Sequence, residues 1–388
     1  MGHPLNRIYL DNAATSWPKP NSVYEAVERY QRELGVAAGR GSYRDTEEVE
    51  RTVVRTRMAI AKLIGAASAN QIVFTQNCTD SLNLALHGLL KRGDHVVTSK
   101  AEHNSILRPL AFLQAAKDVG VTSVPVDSLG VINVDEINKA IQPKTRLVAV
   151  THASNVTGSL QPIEEIGRLV AKHHCSFLLD AAQTLGHVPI DVHACRVDLL
   201  AAPGHKGLHG PLGTGILYLA DGVENQLVPS RQGGTGTQSE SLEQPEQLPS
   251  KYESGNLNVP GLYGLDAGVA YVLANDLTQD HHLYELTQRL IVGLAESPSI
   301  SIYSAPNACG IVSFNVAGYD PREVATLLDA SAGIQVRAGL HCAPLMHQTL
   351  GTMAAGGTVR ASFGHFSNAE EVDKLIAAIR MLTEHPIH

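Results

Sequence analysis

The chain has 388 residues, of which 44% are hydrophobic and 18% are charged. This is the composition of a globular protein long enough for one large domain and a smaller one. The formal net charge of −8 argues against nucleic acid or an anionic membrane as the main partner. We expect neither a signal peptide nor a membrane span, because the start lacks an apolar segment and no apolar run of about 18 residues follows.

The five cysteines are scattered and contain no CxxC pair. This usage predicts a reducing, cytoplasmic environment and no disulfide framework or zinc finger. The 18 histidines do not cluster at the spacing of metal ligands. We therefore expect no metal site.

The chain begins with a predicted short strand and turn at 8–15, followed by helices at 22–34 and 47–64. Apolar residues at helical spacing support the second helix. From residue 72 onward, strands and helices alternate. Strands are predicted at 72–75, 95–99, 122–126, 146–152, 177–179, 197–202 and 214–219, and helices at 79–90, 105–119, 134–140 and 162–173. This alternation predicts a mostly parallel sheet with helices on both faces.

Residues 230–258 break the pattern, since they are rich in Gly, Ser, Gln and Pro. They could form a disordered linker or a functional loop. A helix is predicted at 259–273, and the chain beyond about residue 281 is expected to form a smaller α+β unit. Its predicted helices cover 283–295, 321–330 and 369–382, and its predicted strands cover 310–316 and 359–362.

Two predicted buried strands lead to residues that could serve one cofactor. The run 177–179 leads to Asp180, with Gln183 three residues later, and the run 197–202 leads to Lys206. In an open parallel sheet, ligands bind outside the carboxyl ends of the strands. An amine and an acid placed there suit pyridoxal phosphate, because the amine forms a Schiff base with its aldehyde and the acid keeps its ring nitrogen protonated. The spacing alone leaves open a capping Asp and a solvated Lys.

Two further strand ends carry candidate residues. The segment 75–80 lies between a strand and a helix, where free N–H groups can bind a phosphate, although Thr79 could be a plain helix cap. His103 follows another strand and could stack on a flat heterocycle and move protons, or it could be structural.

Cys342 and Arg360 are candidates in the second unit. Cys342 follows His341 and lies near a cation, surroundings that can make a thiol nucleophilic, whereas most lone cysteines are inert. Arg360 interrupts an apolar strand and could clamp a carboxylate or form an edge-strand salt bridge. The other cysteines are interpreted as small hydrophobic residues: Cys78, Cys175, Cys195 and Cys309.

Eight segments in order resemble a known family. They are YLDNAAT (9–15), FTQNCTDSLNLA (74–85), AEHNS (101–105), THASNVTGS (151–159), LLDAAQ (178–183), PGHKGLHGPLGTG (203–215), RAGLHCAPLM (337–346) and TVRASFGHFS (358–367). The chain resembles the pyridoxal-phosphate enzymes of the class V aminotransferase family, and within it the SufS-like cysteine desulfurases. The resemblance implies fold type I: an α/β large domain with a mostly parallel seven-stranded sheet and a smaller α+β domain.

The resemblance also implies roles around the cofactor ring. Lys206 would be the Schiff-base lysine and proton shuttle. Asp180 would pair with the pyridine nitrogen, Gln183 with the ring hydroxyl, and His103 would stack on the ring. Lys206, Cys342 and His103 would be the catalytic residues.

Further implied roles concern the phosphate and the substrate. The phosphate would be held by Cys78, Thr79 and His205. The family resemblance implies a homodimer, in which Ser239 of the loop 234–239 would reach the phosphate of the other subunit. Cys342 would attack the sulfur of cysteine. The implied substrate-binding residues are Asn12, Ala13, Asn155, Arg337 and Arg360.

Three positions depart from the family pattern. Pro203 stands where a serine commonly donates to the phosphate, Asp80 replaces a common glutamate, and Leu340 replaces the first histidine of an HHC triplet. These departures concern the expected reaction rate or the expected sulfur-acceptor partner. They do not change the expected cofactor.

The resemblance therefore predicts a cytoplasmic cysteine desulfurase that serves iron–sulfur cluster or thio-cofactor synthesis, with a SufE-like or SufU-like protein as a possible sulfur acceptor. The alternatives are a selenocysteine lyase, another β-eliminating lyase or an aminotransferase on the same scaffold, and a non-catalytic sulfur-relay protein. The predicted organisation is an N-terminal segment at 1–20 that joins the small domain, a large domain at 21–260, and a small domain at 261–388 that includes an interdomain helix.

Overall fold

The structure is a computed structural model that describes residues 7–39 and 41–384. Its first part alternates strands and helices. The elements are β1 (Ile8–Tyr9), α1 (Asn21–Arg29), α2 (Arg44–Ile64), β2 (Ile72–Thr75), α3 (Cys78–Leu89), β3 (His95–Ser99), α4 (Asn104–Lys117), β4 (Gly120–Val124), α5 (Val134–Ala140), β5 (Thr145–Thr151), α6 (Ile163–Val170), β6 (Ser176–Asp180), β7 (Leu199–Pro203) and β8 (Gly215–Leu219).

The second part forms the smaller α+β unit after a connecting helix. Its elements are α7 (Val259–Ala274), α8 (His282–Ala295), β9 (Ile300–Ile302), β10 (Ile311–Val316), α9 (Pro321–Ala332), β11 (Ile334–Gln335), β12 (Arg337–Gly339), α10 (Pro344–Leu350), β13 (Thr358–Ser362) and α11 (Ala369–Glu384). No helix in residues 7–39 and 41–384 is both long and apolar enough to cross a membrane.

The large sheet has seven strands in the order β2-β8-β7-β6-β5-β3-β4. Only β8 runs antiparallel to its neighbours, β2 and β7. This confirms the predicted mostly parallel seven-stranded sheet. Its strands are buried on both faces: Phe177 and Leu179 of β6 belong to one hydrophobic cluster, and Leu178 belongs to the other.

The smaller sheet has the order β12-β13-β10-β9 and is antiparallel. The N-terminal strand β1 pairs in parallel with β11, so the start of the chain joins the C-terminal unit. Helix α7 packs on α1 and α2. The predicted division into an N-terminal segment at 1–20, a large domain at 21–260 and a small domain at 261–388 stays a prediction.

The sequence missed four short elements, the two-residue strand β11 among them, and one predicted helix is shorter than expected. Strands β9 and β12 have three residues each, and α10 has seven, which is too short for a clear hydrophobic period. The helix predicted at 22–34 is an α-helix only to Arg29 and then continues as a wider helical turn that ends at Gly35. Residues 230–258 contain no helix or strand and lie between ordered elements.

Candidate active site

A cavity of about 210 Å³ lies at the carboxyl ends of the central strands, where the strand order changes direction beside β5. Residues of the small sheet and of its loops complete its wall. Of the fourteen predicted site residues, twelve line it: Ala13, Cys78, Thr79, His103, Asn155, Asp180, Gln183, His205, Lys206, Arg337, Cys342 and Arg360.

The two remaining predicted residues lie elsewhere. The Asn12 side chain is buried and bound to the backbone, because its Nδ2 donates to the carbonyl of Ser362 at 3.1 Å and its Oδ1 accepts the N–H of Trp17 at 3.1 Å. Ser239 is exposed in the 230–258 loop and lines a separate surface cavity together with Gly39. Within one chain, the structure does not bring Ser239 to the main cavity.

The Asp180 carboxylate accepts hydrogen bonds from the described residues through only one of its two oxygens. Its Oδ1 accepts the N–H of Ala182 at 2.9 Å and the thiol of Cys78 at 3.5 Å. No donor among the described residues reaches Oδ2. Burial raises the pKa of Asp180, while the Ala182 N–H, the charge of Lys206 and the Cys78 thiol oppose that rise. Asp180 thus offers a free oxygen to a cationic or N–H group in the cavity.

Lys206 follows β7 and places its amine in the same cavity. Burial, followed by the positive charge of Arg360, lowers its pKa from 10.5 to about 8. A larger fraction of neutral amine is therefore present near pH 7 than in a solvated lysine. The neutral amine is the form that attacks a carbonyl carbon.

An anion-binding corner lies at the start of α3. The N–H groups of Cys78 and Thr79 have no acceptor among the described residues, and they point from the positive end of a twelve-residue helix. His205 lines the same cavity, and its Nδ1 atom is buried without a partner among the described residues. Pro203, which ends β7, lines the cavity but has no N–H or hydroxyl to donate.

His103 occupies the residue before α4, and its ring lines the cavity. Its Nδ1 accepts the N–H of Ser105 at 3.0 Å, so the ring caps the helix. Burial lowers the pKa of His103 to about 4, with a further contribution from the charge of Lys206. His103 therefore has a structural part as a helix cap, while its predicted stacking on a heterocycle and its movement of protons stay predictions.

Cys342 lies between β12 and α10 and is exposed, whereas the other cysteines are buried or half-buried. His341 and Cys342 both adopt left-handed backbone angles, φ 46° and 59°. The loop is anchored on both sides, because Asn155 donates to the carbonyl of His341 at 2.6 Å and the N–H of Asn104 donates to that of Cys342 at 2.7 Å. A main-chain hydrogen bond thus ties the thiol-bearing residue to the residue that follows His103.

Arg360 of β13 is buried in the wall of the cavity. Its Nη2 donates to Asp11 at 2.9 Å and its Nη1 to the carbonyl of Asn155 at 3.0 Å, while Nε is buried without a partner. Burial lowers the pKa of Arg360, and the nearby Asp11 charge opposes this. Arg360 does form a salt bridge, but β13 lies between β12 and β10 and is not an edge strand, while the predicted role of Arg360 as a carboxylate clamp stays a prediction.

Sequence reasoning missed several residues of the wall, chiefly Asn77, Ser105, Thr151 and His341. Ser105 and His341 lie in segments already recognised, two residues and one residue from a predicted site residue. Their closeness in sequence to predicted site residues could have identified them as part of the wall. No group of three or more His, Cys, Asp or Glu side chains in residues 7–39 and 41–384 is arranged to hold a metal ion.

The chain is similar to known proteins over most of its length. The model of the class V aminotransferase family matches residues 8–375. A probable cysteine desulfurase of Methanothermobacter thermautotrophicus is 38% identical over 380 residues, covering 96% of this chain and 94% of the relative. A cysteine desulfurase of Salmonella agona is 31% identical, covering 97% and 93%.

Solved structures give the same result. The apo cysteine desulfurase of Thermococcus onnurineus superposes with a TM-score of 0.90 and 34% identity, covering 97% of this chain and 95% of that one. The Escherichia coli cysteine desulfurase CsdA, in an S-sulfonic acid form, gives 0.88 and 28%, with the same coverage. These two relatives and two solved structures thus all carry the name cysteine desulfurase.

Proposed function

Because the chain belongs to the class V aminotransferase family, we propose that it is a cysteine desulfurase. It would convert L-cysteine to L-alanine and leave the sulfur as a persulfide on Cys342, for iron–sulfur cluster or thio-cofactor synthesis. The observation that carries the proposal is the meeting of an exposed thiol with the Lys206 amine and the Asp180 carboxylate in one cavity.

The residues of the cavity fit pyridoxal 5'-phosphate. The free Oδ2 of Asp180 suits a protonated ring nitrogen, and the unpaired N–H groups of Cys78 and Thr79 suit a phosphate. Lys206 would hold the cofactor covalently. When bound, the cofactor supplies an electron sink for the carbon that carries the substrate's amino group.

Other residues would complete the cofactor site. His205 would donate from its unpartnered Nδ1 to the phosphate, and His103 would lie against the ring. Gln183, whose Nε2 donates to the carbonyl of Ala13 at 3.2 Å, would contact the ring hydroxyl. Ser239 of a second subunit would approach the phosphate in a homodimer.

Substrate binding and sulfur transfer would use this chain's own groups. Arg360, Asn155 and Arg337 would orient the substrate carboxylate. Cys342 Sγ would attack the substrate sulfur, so that a sulfur–sulfur bond forms as the carbon–sulfur bond breaks. The net proton lost by the Cys342 thiol ends on the methyl group of alanine, delivered through Lys206 Nζ. The atoms and electrons of the reactants, the Cys342 thiol and cysteine, then equal those of the products, the Cys342 persulfide and alanine.

The state of the cysteines bears on where the protein works and on what accepts its sulfur. All five cysteines are unpaired, which supports a reducing, cytoplasmic environment. The exposed Cys342 could pass its sulfur to a SufE-like or SufU-like acceptor or to a small thiol.

The test of the proposed function is the product balance from L-cysteine with excess dithiothreitol. We expect alanine and sulfide in equal amounts. Pyruvate and ammonia in place of alanine would identify a β-eliminating lyase. Amine exchange that needs a keto acid would identify an aminotransferase, and turnover of selenocysteine but not cysteine would identify a selenocysteine lyase.

Cys78 offers a prediction on cofactor retention. The change Cys78→Ala removes one donor from Oδ1 of Asp180, which destabilises the carboxylate. A hydrogen bond of this kind contributes about 0.5–1.5 kcal/mol, so we expect the variant to need an about two- to tenfold higher free-cofactor concentration than wild type for half-saturation. Equilibrium dialysis followed by absorbance measures this.

Two variants control the Cys78 experiment. Cys78→Ser keeps a donor and should restore most of the retention. Cys195→Ala removes a buried cysteine outside the cavity and should leave it unchanged. Equal retention in Cys78→Ala and wild type would show that the thiol contributes nothing to Asp180.

A further inference from the structure

The ring of His103 is bound to Ser105 through a single nitrogen. Nδ1 accepts the main-chain N–H of Ser105 at 3.0 Å, and the Ser105 hydroxyl oxygen lies 2.9 Å from the same atom. The hydroxyl is also 2.7 Å from Oγ1 of Thr79. Ser105 therefore links the starts of α3 and α4.

The main-chain contact decides where the imidazole proton sits. A backbone N–H can only donate, so Nδ1 must present its lone pair. A neutral imidazole with an unprotonated Nδ1 carries its hydrogen on Nε2. Protonating Nδ1 would break the helix cap and place a cation at the positive end of α4, which the helix dipole disfavours.

The other ring nitrogen, Nε2, is left free for a group bound beside the ring. Nε2 of His103 has no partner among the described residues, and it is not among their buried unpaired atoms. The ring lines the cavity together with Lys206 and Asp180. The group that His103 offers there is thus an N–H.

We propose that Ser105 is a positioning residue that holds His103 as the neutral imidazole protonated on Nε2, so that His103 presents a proton donor, and not a base, to the cavity. What the donor does rests on the proposed function. In a cysteine desulfurase, His103 would donate a hydrogen bond or a proton, and proton abstraction from the substrate would belong to Lys206.

Nitrogen-15 NMR of the histidine rings tests the assignment directly. The holoenzyme is labelled in its histidine side chains, and the His103 signals are identified by their loss in His103→Gln. We expect an unprotonated Nδ1 and a protonated Nε2 at every pH from 6 to 9. A proton on Nδ1, or on both nitrogens at pH 7, would overturn the proposal. This measurement needs no turnover, so it can fail or succeed independently of the proposed reaction.

A matched pair of proline variants tests the part played by Ser105. Ser105→Pro removes the capping N–H at the second residue of α4, where the first turn of a helix tolerates proline. Asp135→Pro removes the equivalent N–H from α5, which Asn133 caps at 3.0 Å.

We expect Ser105→Pro to give a mixture of both His103 tautomers and to lower kcat at least about tenfold, within the range that a positioned acid contributes. Asp135→Pro should leave the His103 signals unchanged. An unaltered tautomer in folded Ser105→Pro would exclude Ser105 as the cause. If that variant does not fold, the pH series of the wild type decides whether His103 is a donor.

Discussion

Replacing Cys342 by alanine should reduce sulfide and alanine formation from L-cysteine by about 10³-fold or more, because the variant lacks the attacking sulfur. The cofactor should remain bound with its visible absorbance unchanged, since Cys342 lines the cavity but is not among the residues that would hold the cofactor. The measurement is the paired assay of alanine and sulfide with dithiothreitol.

The control for this variant is Cys175→Ala. Cys175 is the other cysteine with some exposure, and burial raises its pKa to about 11, which makes it a poor nucleophile. It should retain wild-type activity. If Cys342→Ala still released sulfide from cysteine at the wild-type rate, the persulfide mechanism would be wrong.

Replacing Lys206 by alanine should abolish both covalent cofactor attachment and turnover. Lys206 provides the only amine that the described residues place in the cavity wall. Borohydride reduction of the wild-type holoenzyme, followed by peptide mapping, should locate the cofactor on Lys206. The same treatment of Lys206→Ala should give no labelled peptide, and its alanine production should fall by about 10³-fold or more.

Lys19→Ala is a matched control, because burial also lowers the pKa of Lys19 to about 8. Lys19 does not line the cavity, and its amine donates to Ser16 Oγ and to the carbonyl of His205, both at 2.8 Å. Lys19→Ala should still bind the cofactor covalently. Labelling of a lysine other than Lys206 would contradict the assignment.

The lowered pKa of Lys206 also predicts a pH dependence. Burial disfavours the ammonium form, so the neutral amine becomes dominant above about pH 8 instead of above the usual 10.5. Only the neutral amine adds to an aldehyde. The rate at which cofactor-free protein recovers bound cofactor should therefore rise with pH and level off above about pH 8, as followed by absorbance. A rate that keeps rising to pH 10 would indicate a solvated lysine.

Local sequence signals predicted the strands of the seven-stranded sheet well. Apolar runs such as 177–179 are long enough to bury a strand but too short for a helix, and turn residues follow them. The strand ends therefore placed Asp180 and Lys206 correctly at one edge of the sheet. The identities of Cys342 and Arg360 as candidates also came from the sequence, through segments that resemble the family.

The tertiary structure decided what the strand pattern cannot encode. The meeting of His103 with Cys342 depends on a main-chain bond between residues 104 and 342, and no local pattern reports a contact over that distance. No local pattern reports the hydrogen bond from the Cys78 thiol to Asp180 either. The short elements β12 and α10 that flank Cys342 are stabilised by packing in the small domain, since three and seven residues are too few to form such structure alone. The sequence thus determined which chemical groups the protein carries and at which sheet edge the central ones lie, while long-range packing determined their hydrogen bonds, their burial and hence their protonation.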